Sequence, residues 1–264
     1  MHKAVRISLW LGLIFLILVA WGFSLRQNAG NRTGEISIVF EGEKEPGFVS
    51  EKEIMEALGH SNTEAGGIPL GEININHLEW KVNSNPWVKK AEVFMDIDGN
   101  IRVKIWQKEA LCRILNAAGE SFYLDTEGNP MLWSPLYTPR VPLVTGKIPG
   151  TFAGVYGNTY ASLPLADTAS TKMLHDVYKF CNFIMRNPLW KAQVDQIFVN
   201  ESGEFELIPR VGDHRIIFGD TTRMAQKFRK LEIFYREGLA FTGWNRYDTL
   251  NLKFYNQIVC TKIN

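Results

Sequence analysis

The sequence predicts an α+β protein built in series. A single N-terminal transmembrane helix comes first, then a strand-helix-helix-strand-strand unit, then a β-rich region with flanking helices. Three observations carry this expectation. Residues 7–25 contain no Asp, Glu, Lys or Arg. Residues 85–109 alternate apolar and polar positions on both sides of Asp98-Gly99. Beyond residue 110, short alternating runs are separated by Pro, Gly and Asn, and two longer stretches repeat at helical spacing.

As a helix, residues 7–25 measure about 28 Å, close to the ~30 Å hydrocarbon core of a bilayer. A cleaved signal peptide would end in small residues, whereas Trp21 and Phe23 stand there. The sequence therefore predicts a retained anchor. Lys3 and Arg6 precede the span and residues 1–6 are too few for a domain. The expected orientation places the N-terminus in the cytoplasm and everything after residue 25 outside. Residues 26–35 read as a linker.

Ile36, Ile38 and Phe40 alternate as a first strand. Ser50 and Glu53 form a capping-box pattern that opens a short helix with Ile54 and Leu58 inward. Asn76 and Glu79 offer the start of a second helix carrying Leu78 and Val82, which Pro86 stops. A hairpin follows. Val93 and Met95 on one side and Val103 and Ile105 on the other must share a face. A loop of about three residues, with Ile97 opposite Ile101, satisfies this. Val103 and Ile105 are expected to be buried under the two helices. Phe94 and Trp106 fall on the opposite, charged face, as packing or contact residues.

In the second half, residues 122–131 read as another hairpin around an Asp/Gly turn. Pro135, Pro139, Pro142 and Pro149 make the next stretch mostly irregular or edge structure. Met173, Val177, Cys181 and Ile184 recur at helical spacing up to Pro188. Residues 194–199, 204–208 and 215–218 are strand candidates, with Pro209 and Gly212 shaping a turn. Asp220 is placed to cap a helix bearing Met224, Phe228, Leu231 and Tyr235, with Gly238 as its stop. Residues 249–260 alternate as a last strand.

The chain has 264 residues, a net charge of +1 and 45% hydrophobic content, enough for more than one core and with no electrostatic footprint for nucleic acid. Cys112, Cys181 and Cys260 are odd in number and far apart, which argues against a disulfide framework or a zinc site and for small buried hydrophobes. The five histidines show no metal-ligand spacing, and neither G-K-[ST] nor G-x-S-x-G occurs. Asp213-His214 reads as a solvated pair in a surface turn. No catalytic residue, cofactor, metal or small-molecule substrate is expected.

The strand-helix-helix-strand-strand order, with Asn85-Pro86-Trp87-Val88, Ala91-Glu92-Val93 and the Asp-Gly hairpin, resembles a POTRA domain. Phe122-Tyr123-Leu124-Asp125 with Gly128, Arg140-Val141-Pro142-Leu143-Val144 and the stretch Leu207-Ile208-Pro209-Arg210 to Ile216-Ile217-Phe218-Gly219-Asp220 resemble the β domain of the FtsQ/DivIB cell-division family. The resemblance implies residues 1–6 as a cytoplasmic head, 7–25 as a membrane span, 36–108 as the POTRA domain and 109–264 as the β domain. It implies a non-enzymatic, single-pass scaffold of the inner membrane at the division septum. Its partners would be FtsB and FtsL and, through them, FtsW and FtsI. A POTRA-type outer-membrane assembly factor would need further POTRA repeats or many barrel strands, and an anchored cell-wall enzyme would need a recognisable catalytic set.

The partner-binding expectation falls on residues 249–260. Leu250, Leu252, Phe254, Ile258 and Cys260 make one face of the expected strand. Asn251, Lys253, Tyr255, Gln257 and Val259 make the other, and are the candidate partner-binding residues. An edge position would leave free backbone groups to template an added strand, and the family resemblance points to the same C-terminal part of the β domain.

Overall fold

The computed structural model describes residues 12, 14–17, 19, 34–42, 47–59, 73–155 and 169–263. Most of the expected membrane span, residues 7–25, lies outside these. Gly12, Ile14, Phe15, Leu16, Ile17 and Val19 are helical. Among the described residues no helix is long and apolar enough to cross a membrane. The chain divides into two compact units, Met1–Gln107 and Lys108–Asn264.

In the first unit β1 (Ile36–Glu41) is followed by α1 (Glu51–Leu58), α2 (Ile75–Asn83), β2 (Val88–Met95) and β3 (Ile101–Gln107). The sheet order is β1-β3-β2, with β1 parallel and β2 antiparallel to the central β3. Ser50 caps α1 as expected: its hydroxyl accepts from Glu53 N, and the Glu53 carboxylate accepts from Ser50 N. The second helix begins two residues before its expected start. Asn74, not Asn76, is the N-cap, accepting from His77 N at 3.0 Å. Ile54, Val82, Val93, Ile101, Val103 and Ile105 are buried.

The hairpin keeps the expected faces but not the expected register. Met95 pairs with Ile101, Val93 with Val103 and Ala91 with Ile105, a shift of two residues. The reason is Asp96. Its Oδ1 accepts from Asp98 N and Asn100 N, both at 3.0 Å, while its own N–H donates to Asn100 O. Residues 96–100 thus close a five-residue turn, and Ile97 is left fully exposed at its tip. Phe94 stays exposed on the outer face with Lys104 Nζ 5.7 Å from its ring, and Lys90 Nζ lies 5.1 Å from the Trp106 ring.

The same device recurs three times in the second unit, at Asn116 with Gly119, Asp125 with Gly128 and Asn200 with Gly203. In each, the Asn or Asp oxygen accepts from the N–H groups two and four residues on. In all four turns the glycine three residues on takes a left-handed φ, between 74° and 84°, which a residue with Cβ adopts only at a cost.

The second unit contains β4 (Ala110–Leu115), β5 (Ser121–Asp125), β6 (Pro130–Met131), β7 (Leu143–Gly146), α3 (Phe152–Val155), α4 (Ala169–Arg186), α5 (Pro188–Gln193), β8 (Val194–Val199), β9 (Phe205–Pro209), β10 (Arg215–Gly219), α6 (Met224–Ile233), β11 (Tyr247–Asn251) and β12 (Val259–Lys262). Its mixed sheet runs β12-β11-β10-β9-β8-β7-β4-β5-β6. Helices α4, α5 and α6 meet it through aromatic side chains. Phe180 lies 4.7 Å from both Phe205 and Phe218, while Phe228 lies 4.9 Å from both Phe183 and Trp190 (ring centroids). These large rings bury much of the apolar area that holds the unit together.

The α4 run ends before Pro188 as expected, and Pro188 also opens α5 at the first-turn position, with Asn187 as N-cap. Two local expectations are corrected here. Asp220 does not cap α6, whose N-cap is Arg223. The Asp220 carboxylate instead pairs with buried Lys227 at 2.8 Å and accepts from Thr222, which lowers its pKa to about 2. Gly238 does not end the helix. The chain continues through a π-helical turn, Phe234–Leu239, and stops only at Gly243, because Tyr235 and Leu239 are anchored in the core.

Candidate functional site

The expected last strand over residues 249–260 is in fact a hairpin. β11 and β12 pair antiparallel, with Asn251 opposite Val259, and residues 252–258 form the connection between them. Two asparagines break the alternation. Asn251 Oδ1 accepts from Lys253 N at 3.0 Å, starting a turn, and Asn256 takes a left-handed φ of 55°. Of the five candidate residues, Asn251 and Val259 are therefore cross-strand neighbours. Lys253, Tyr255 and Gln257 lie in the connecting loop, so the single strand face expected for them does not exist.

The loop is held from outside. Lys230 on α6 sends its ammonium into the curve and donates to Leu252 O at 3.0 Å, Phe254 O at 2.6 Å and Gln257 O at 2.9 Å. Burial lowers the Lys230 pKa, and Lys227 and Arg223 nearby act in the same direction. Leu252 is buried and its N–H donates to Ile217 O, pinning the start of the loop to β10. Lys253 is not a free surface cation: its Nζ lies 2.7 Å from the Glu204 carboxylate. The exposed Tyr255 ring has the Arg223 guanidinium 5.3 Å from its centre.

Between α6 and this loop lies a cavity of about 470 Å³. Its lining includes Arg223, Lys227, Arg229, Lys230 and Lys253 and no acidic residue. Three of these are satisfied by Asp220, by carbonyls or by Glu204, so Arg223 and Arg229 are the cations nearest to available. Sequence reasoning passed over this feature. Its signal was present, since Arg223, Lys227 and Lys230 recur at helical spacing along α6. β12 itself forms one edge of the nine-stranded sheet. No side chain among the described residues hydrogen-bonds the backbone of Val259–Lys262, and Val259 is exposed.

A family model described as POTRA-like domain matches residues 32–106. One described as FtsQ/DivIB, C-terminal related, matches residues 109–261, more than half of the chain. The chain belongs to the FtsQ/DivIB family. A search of curated proteins returned no significant match. FtsQ/DivIB membership implies a cell-division scaffold role and a place at the division septum. The family is generally non-enzymatic. Among the described residues no three His, Cys, Asp or Glu side chains gather as a metal-binding group.

Asp213-His214, expected to be solvated in a surface turn, is only half so. Asp213 is exposed, but His214 is buried with its Nε2 2.9 Å from the Tyr235 hydroxyl. Burial holds the His214 ring below its ordinary pKa, with Asp213 opposing, and burial pushes the Tyr235 hydroxyl well up. Both are neutral core groups at pH 7.

Proposed function

We propose that this FtsQ/DivIB chain is a non-enzymatic, single-pass membrane scaffold of the division machinery. Residues 7–25 span the inner membrane behind a cytoplasmic head of residues 1–6. A linker, 26–35, leads to a POTRA domain, 36–108, and a β domain, 109–264, in the periplasm. The scaffold binds FtsB and FtsL, and through them reaches the peptidoglycan-synthesising FtsW and FtsI. The observation that supports this best is the open backbone of β12 beside a basic cavity. A partner strand added to β12 gains main-chain hydrogen bonds, and acidic side chains next to that strand meet Arg223 and Arg229. Of the five candidate residues, Tyr255 and Val259 face this partner most directly, whereas Lys253 serves mainly to hold the loop.

Depletion in the native host, with a fluorescent fusion for rescue, tests the role: filaments and a midcell band support it, and normal division ends it. A photocrosslinker at Val259 should capture FtsB. Tyr255→Ala and Arg229→Glu should leave the melting temperature within about 2 °C, as exposed substitutions do, yet weaken FtsB pulldown. Normal capture by both folded variants places the partner elsewhere.

A further inference from the structure

The chain enters the first unit at the tip of its hairpin. Gly34 N donates to Gly99 O, Glu35 N to Asn100 Oδ1 and Ile101 N to Glu35 O, each at 3.0 Å. Gly34 sits so close to the Asn100 side chain that a Cβ there would collide with it. Asn100 cannot simply give way, because its Nδ2 donates to Asp96 Oδ2 at 3.1 Å and its N–H to Asp96 Oδ1 at 3.0 Å. The tip therefore holds one shape, and that shape turns apolar side chains outward. Ile97 is fully exposed, and Phe94 and Met95 beside it are 39% and 40% exposed. A turn tip ordinarily carries polar residues, whereas three large apolar side chains within four residues make a small apolar cap here.

We propose that this tip is a membrane-docking site, with Ile97 dipping into a neutral phospholipid surface and Phe94 and Met95 resting at the level of the headgroups. The inference rests on the membrane span proposed above, residues 7–25. Only eight residues, 26–33, separate that span from Gly34. Eight residues reach about 29 Å at full extension. The pole of the domain that receives the chain is thus the pole next to the bilayer, and it is the one that carries Ile97. A tether this short keeps the tip at a millimolar effective concentration at the surface. A contact too weak to bring a free domain to a membrane then suffices to hold a tethered one. Charge gives the lipid class. Asp98 and Glu35 are exposed at the tip and Asp96 is committed to the turn, while Arg102 lies 3.7 Å from Asp96 and Lys104 stands further along β3. That balance disfavours an anionic surface, so the contact is apolar and insensitive to salt. Docked in this way, the first unit meets the membrane at two points, the span and the tip, which sets its orientation on the bilayer.

The test uses the full chain reconstituted in phosphatidylcholine vesicles. Cys260→Ser removes the one cysteine that is not buried, and Cys112 and Cys181 are shielded in the core. In that background an environment-sensitive fluorophore is attached at Ile97→Cys, at Asp98→Cys or, as a distant control, at Lys52→Cys. Lys52 is exposed at the start of α1, beside the opposite end of β3, where Val49 N donates to Gln107 Oε1. A nitroxide on the lipid headgroup should quench both tip labels several-fold more than the control, in low and high salt alike. Ile97→Asp should abolish quenching of the Asp98→Cys label and leave the melting temperature within about 2 °C. Flotation of the vesicles after an alkaline wash reports the span separately. Tip labels left unquenched in a chain that floats overturn the docking site alone. So does quenching at Lys52→Cys equal to that at the tip, or quenching at Asp98→Cys that survives Ile97→Asp. A chain that the wash strips from the vesicles overturns the span, and the docking site with it.

Discussion

The two sheets end in edges of opposite kinds. β2, the outer strand of the first unit, is covered by its own neighbour in sequence. Asn83 on α2 accepts from Ala91 N at 2.8 Å and donates to Ala91 O at 3.2 Å, and Glu79 accepts from Val93 N at 3.0 Å. Side-chain amide and carboxylate thus stand in for a missing strand. β12 has no such cover among the described residues, and the loop leading into it is instead fastened at its carbonyls by Lys230. An unpaired strand edge is an invitation to pairing that proteins normally block. One edge is blocked by local side chains, and the other is left open, with the loop leading into it fastened by Lys230.

The largest test of that contrast is in the strands themselves. Ile105 lies on the central strand between β1 and β2, so Ile105→Ala should cost about 2–5 kcal/mol in chemical denaturation of the first unit. Val259→Ala on the open edge should change stability by less than about 0.5 kcal/mol. Equal costs would mean that β12 is not an edge. Next, Lys230→Met removes a charged donor shared by three carbonyls. It should destabilise the second unit by about 1.5–3 kcal/mol and weaken partner capture together. An unchanged melt would show that the loop is held by something else. Third, Asn83→Ala should cost about 1–2 kcal/mol and make the first unit prone to concentration-dependent self-association, read by sedimentation. A monomer at all concentrations would deny Asn83 its covering role.

The smallest effect is a pH tilt in the second unit. His214 has a depressed pKa in the folded state, so above about pH 6.5 neither folded nor unfolded chain carries that proton. As pH falls below this value the unfolded chain takes it up first, and stability is lost until the folded-state pKa is passed. Urea midpoints between pH 7.5 and 5 should decline, and His214→Gln should reduce the slope. An identical slope in the variant would assign the decline to carboxylates.

Much of this architecture can be read from local chemistry. The capping box at Ser50, the alternation that buries Val103 and Ile105, and the stripe carrying Val177, Cys181 and Ile184 act over a few residues and survive any tertiary context. The four Asn/Asp-x-x-Gly turns are equally local, yet the Asp98-Gly99 step by itself puts the first hairpin two residues out of register. The misread stretches are those where a distant group outweighed a local one. Alternation alone made residues 249–260 one strand, but Lys230 rewards a bent loop there with three hydrogen bonds. Gly238 marked a stop, but buried Tyr235 and Leu239 carry the helix past it. His214 looked solvated because nothing adjacent in sequence reveals Tyr235. By itself, the sequence determined the order of elements, the faces they bury and the family they belong to. Only the tertiary structure decided which edge stays open and how the basic face of α6 meets the last hairpin. Those outcomes depend on side chains brought together across long loops, and no periodicity encodes such meetings.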